Sequence, residues 1–179
     1  PPPAAPAADQ LPRDVEWSVR ARCDQAEMLI LIEKPADAAA VLALLLAEPT
    51  TVKSRYRISA TYLHGQSAFL LKDYATAIRA LSQLAPFQDP IHGAHAQYLL
   101  ARTHHALEER AEATALYEAV VSGHDKLKAA AQQHLQNAAA LKDQPDEKAR
   151  LESFVRVVPD YVVRSHFYLA VLLQEQQKP

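Results

Sequence analysis

A chain of 179 residues, 49% of them apolar and 22% charged, holds enough apolar material for one domain with a continuous core. Its formal net charge of −2 lacks the basic stripe of a nucleic-acid binder, so no nucleic-acid partner is expected. Three glycines leave no phosphate loop, dinucleotide turn or Gly-x-Ser-x-Gly elbow, and the lone cysteine, Cys23, has no internal partner for a disulfide.

Residues 1–13 read as a Pro/Ala-rich arm or linker, because five of the twelve prolines fall between Pro1 and Pro12 and favour an extended, polyproline-like backbone. With neither an initiator methionine nor a basic-then-apolar signal pattern, the expectation is a mature form or an excised piece. No apolar run reaches 18 residues, so no direct membrane insertion is expected. Asp14 is expected to cap a first helix running to about Ile32, with Val15, Val19, Ala26, Leu29 and Ile30 on its buried side. Its partner covers residues 36–47 and ends before Pro49. The run from Ala38 to Leu46 is apolar nearly all round, which predicts burial on more than one face. Thr50 or Thr51 is placed as the cap of a long helix ending near Leu71, and Asp73 as the cap of its mate. Asp89-Pro90 is a helix start, an acid at the cap followed by proline at the first helical position. Gly123 is read as the end of a third hairpin, Asp125 as a restart, and Asp160 as the residue preceding a last helix over 161–177.

Two stretches share one internal grammar. In residues 58–84, Tyr62, Gly65, Ala68 and Phe69 lie on one segment and Tyr74, Ala77, Ile78 and Leu81 on the next; in residues 94–121, Tyr98, Leu100, Ala101 and Leu107 precede a turn at Glu108-Glu109-Arg110, followed by Ala113, Leu116, Tyr117 and Val120. Turns this short force the paired helices antiparallel, and Gly65 with Ala77, then Ala101 with Ala113, are the small residues that let them approach. Ala39, Ala77, Ala113 and Ala149 recur at intervals of 38, 36 and 36 residues. Together with small residues at Gly65, Ala101 and Ala170 and prolines at Pro49, Pro90 and Pro159, this pattern resembles the tetratricopeptide repeat family. The match is specific in the second and third units and departs from the pattern at Ala68 and His104, where the family has a large residue.

The resemblance implies an all-α fold, a right-handed superhelical array of about four antiparallel hairpins (residues 14–49, 51–87, 90–123 and 125–158) with a half unit over 160–179. In such arrays a polypeptide partner lies in the concave groove lined by the first helices. Placing the family's groove positions here gives Ser59, Tyr62, Gln66, Phe69 and Leu70, then His95, Tyr98, Arg102, His105 and Ala106, then His134, Ala138 and Lys142. The principal candidates are Tyr62, Gln66, Phe69, His95, Tyr98, Arg102, His105 and His134, with Tyr and Arg the types that concentrate binding energy in a desolvated pocket. Gln66 and Arg102 stand where relatives that clamp a C-terminal carboxylate need Asn, which argues against that clamp; Arg102 can still pair bidentately with a ligand carboxylate.

No metal, cofactor or catalytic residue is expected. His92 and His95 share a helix face without a third ligand, His104 and His105 point apart, and His124 is placed in a loop. Glu108-Glu109 reads as a solvated corner, and Cys23 as a helix-packing residue. The function expected is a non-catalytic scaffold for a protein or peptide. The alternatives are a spacer or self-association module acting through the terminal helix over 161–177, and a substrate-recruiting region of an enzyme whose catalytic domain lies elsewhere.

Overall fold

Apolar side chains at helical spacing, with short polar breaks between them, give an all-helical chain. The computed structural model describes residues 11–137, 141 and 145–176, and no strand occurs among them. Its α-helices are α1 (Arg13–Leu31), α2 (Pro35–Ala47), α3 (Arg57–Leu70), α4 (Tyr74–Ser82), α5 (Gly93–Ala106), α6 (Arg110–Gln136), α7 (Pro145–Arg156) and α8 (Asp160–Gln176), with a 3-10 turn over Pro49–Thr51. They fall into two compact units, residues 1–103 and 104–179.

Three helix ends share one backbone device. After α1, α3 and α5 the chain turns through a left-handed residue, Glu33 (φ 60°), Lys72 (φ 61°) and Glu108 (φ 61°). In each case the next amide reaches back to a carbonyl five residues earlier: Lys34 to Leu29 at 2.8 Å, Asp73 to Ala68 at 2.9 Å and Glu109 to His104 at 3.0 Å. This satisfies carbonyls that a helix end leaves orphaned, without the glycine that normally marks such a turn. Five residues beyond each left-handed position comes a fully buried alanine: Ala38, Ala77 and Ala113. The recurrent alanine of the first turn is therefore Ala38 and not Ala39, which is only half-buried; Ala149, the fourth in the sequence register, is exposed.

In the first unit α1 packs on α2, α2 on α3, and α3 on both α4 and α1. Leu42 and Leu45 of α2 are buried with Ala38, whereas Leu44 is 70% exposed. The burial on more than one face expected of α2 is thus corrected: it buries one stripe, and its apolar outer side meets solvent. Asp73 caps α4, its carboxylate accepting from the Thr76 amide at 3.1 Å. The other caps differ from expectation. Pro12 holds the cap position of α1 with Asp14 in the first turn, and neither Thr50 nor Thr51 caps α3, which starts at Arg57. Thr51 instead lies buried with its hydroxyl 2.8 Å from the Leu45 carbonyl and 2.9 Å from that of Glu48, closing the end of α2.

In the second unit α6 packs on α7 and on α8. The break expected at Gly123 to Asp125 is absent, since α6 is one helix of 27 residues. His124, expected in a loop, lies buried within it, its ring 5.7 Å from that of Phe154. α8 begins at Asp160, one residue before the expected start at Tyr161, and buries Val162, Ser165 and Leu172.

Candidate functional site

The first unit carries a cleft of about 510 Å³, walled by α1 and α3. On α1, Val19, Cys23 and Ala26 at helical spacing form the buried stripe. That stripe turns Asp24, Glu27 and Ile30 to the rim of the cleft. On α3 the cleft is formed by Ser59, Tyr62, Leu63 and Gln66.

His92 completes it from the turn before α5. The Asp89 carboxylate accepts from the amides of Ile91 (3.1 Å) and His92 (2.7 Å), which fixes the His92 backbone, and α5 proper begins one residue later. Gly93 is required there, because a Cβ on it would fall 2.1 Å from the Phe87 carbonyl oxygen. The His92 ring stacks on Tyr62 with centroids 4.4 Å apart and planes at 18°, and its Nε2 lies 3.0 Å from the Ser59 hydroxyl. The Tyr62 hydroxyl is 2.7 Å from His95 Nδ1, a hydrogen bond whose direction follows the imidazole tautomer.

From Tyr62 a series of ring contacts continues through the expected groove residues. His95 meets Tyr98 at 5.7 Å, Arg102 reaches the Tyr98 hydroxyl at 3.3 Å, and its guanidinium lies 5.8 Å from the Phe69 ring centroid. The structure thus brings Tyr62, Gln66, Phe69, His95, Tyr98 and Arg102 together in the first unit, with Tyr62 and Gln66 in the cleft itself. His105 belongs to the second unit, where its ring meets Tyr117 and Tyr168, and His134 is exposed on α6. Ala138 and Lys142 lie outside the described residues.

Burial tunes the ionisable groups. Burial, with Glu27 adding to it, pushes Tyr62 up to about 12, so its hydroxyl stays protonated. Burial also holds His92 below the usual imidazole value, although Asp89 and Glu27 pull it back up. Cys23 is pushed up to about 11 by burial, so the thiol is a packing group in the α1 stripe and not a nucleophile. Among the described residues no three His, Cys, Asp or Glu side chains are grouped to hold a metal ion, and no helix is long and apolar enough to cross a membrane.

Comparison with family models, curated proteins and solved structures finds no match for this chain. Sequence reasoning missed Asp24 and Glu27 because groove positions were laid out only from the second unit onward, and it weighed His92 only as a metal ligand beside His95, since His92 precedes the helix that carries the third unit's groove positions. The available signal was the polar series Arg20, Asp24 and Glu27 flanking the Val19, Cys23 and Ala26 stripe at helical spacing.

Proposed function

We propose that the chain is a non-catalytic interaction scaffold of tetratricopeptide-like hairpins that holds a peptide or extended protein segment in the α1–α3 cleft. The observation that carries this reading is the cleft itself, a concavity of ligand-binding size with a stacked Tyr62–His92 pair in its wall. The repeated left-handed turns at Glu33, Lys72 and Glu108, each followed at the same spacing by a buried alanine, support the repeat assignment. Well-anchored rings on helices give a preorganised surface, which reduces the ordering cost of binding. The test is selection of phage-displayed peptides on the folded protein, followed by amide-shift mapping of the enriched sequences. The expected footprint covers residues 20–31 and 56–66. A footprint elsewhere, or no enriched sequence, overturns the proposal.

A second reading, self-association through α8, is favoured by its outer stripe, where Val163, Phe167 and Leu173 are each more than half exposed. Light scattering over a range of concentrations separates the two readings: a mass that stays at one chain removes self-association.

A further inference from the structure

The lining of the α1–α3 cleft has a definite charge and ring pattern. Asp24 and Glu27 stand one helical turn apart on α1. Arg20, the cation among the lining residues, lies 3.7 Å from the Asp24 carboxylate and 5.6 Å from the Trp17 ring centroid. Glu27 has no ion-pair partner among the described residues, and its carboxylate is close enough to act electrostatically on both Tyr62 and His92. One face of the Tyr62 ring is covered by His92. Ile30 and Leu63 supply apolar surface in the same cleft. A carboxylate without an ion-pair partner among the described residues, in a cleft with an aromatic ring and aliphatic side chains, matches a cation carried on an apolar stem.

We propose that this cleft selects a segment bearing an arginine or lysine, with the cation at the Glu27 carboxylate and its aliphatic stem along Tyr62, Ile30 and Leu63. The inference rests on the cleft being a polypeptide site and adds the class of side chain it takes. Arginine is favoured over lysine because a planar guanidinium pairs with a carboxylate through two hydrogen bonds and also stacks on a ring.

The test uses two blocked tripeptides, acetyl-Leu-Arg-Leu-amide and acetyl-Leu-Glu-Leu-amide, titrated at low ionic strength against the whole chain and against Glu27→Gln, with amide shifts as the readout. Glu27 is exposed, so the variant retains the fold, which circular dichroism checks. The arginine peptide is expected to shift amides of residues 20–31 and 56–66 and the glutamate peptide to leave them in place. Glu27→Gln is expected to weaken the arginine peptide by about fivefold, and added salt to weaken it too. Equal binding of both peptides, or an unchanged affinity in Glu27→Gln, overturns the cation assignment while the cleft remains a peptide site. No shift with either peptide overturns the assignment as well, and the phage-selected sequences then decide whether the cleft takes polypeptide at all.

Discussion

A methyl group placed on Gly65 would lie 2.6 Å from Cγ of Leu81, a side chain with no exposed surface and therefore no room to withdraw. The sequence marks Gly65 as the small residue at a helix crossing and pairs it with Ala77; the tightest contacts are instead with Leu81 and Ala80, one turn further along α4. Overpacking of this kind costs about 1–3 kcal/mol, and the better helix propensity of alanine returns about 1 kcal/mol. Gly65→Ala should therefore lower stability by up to about 2 kcal/mol. Urea unfolding checks this through a lower midpoint at unchanged slope. The three left-handed turn residues were hidden for a related reason. Glu33, Lys72 and Glu108 are not glycines, so nothing in their identity announces the conformation that the returning amide bonds impose.

The element most at odds with its sequence is α6. Gly123 and Asp125 form a plausible stop and start, yet Tyr117, Val120, His124 and Ala131 are all buried along one face that runs through the glycine. Breaking the helix at Gly123 would rotate that stripe out of register, so packing overrides a local preference of about 1 kcal/mol. A Cβ at Gly123 would meet no atom within 4 Å. Gly123→Ala should consequently raise stability by about 0.5–1 kcal/mol, as expected for an unstrained helix interior. Thermal unfolding decides: no gain or a loss would mean that the helix does not continue through this position. α7 shows the opposite balance, with a well-formed helix and no fully buried residue. Its Glu147 and Arg150 pair at one-turn spacing on the exposed side.

At the scale of the whole molecule, two sets of ionisable groups give stability a dependence on pH. His64 and His92 are held below the ordinary imidazole value, chiefly by burial. Glu48, Asp73 and Glu147 are held below the carboxylate range by hydrogen bonds from Arg22, Thr76 and Arg150. In all five the unfolded chain binds protons more readily, so stability present at neutral pH is lost as pH falls, first below about 6.5 and again through the carboxylate range. Cys23 and Tyr62, pushed up to about 11 and about 12 by burial, favour the neutral form in the fold; the unfolded chain gives up these protons first, and stability is lost as pH rises above about 8.5. Chemical unfolding across pH should show a plateau near pH 7–8 with a decline on each side. The double change His64→Gln and His92→Gln should remove the decline between pH 5 and 6.5, and a persisting decline would assign it to other groups.

Helical class and the ends of most helices were set by the sequence alone, because 3.6-residue periodicity and a cap such as Asp73 are properties of neighbours along the chain; Gly65 was legible as a small residue, but its lack of room comes from Leu81 on α4. Long-range packing decided the continuity of α6, the choice of Ala38 over Ala39, and the outward placing of Leu44 and Phe167. The cleft belongs to the same category. Glu27, Tyr62 and His92 are separated by 35 and 30 residues in the chain, and only the packing of α1 on α3 with the Asp89 turn places them around one hollow. Local rules choose which way each residue faces on its own helix, whereas which faces share a hollow depends on how burial is divided among helices far apart in the chain.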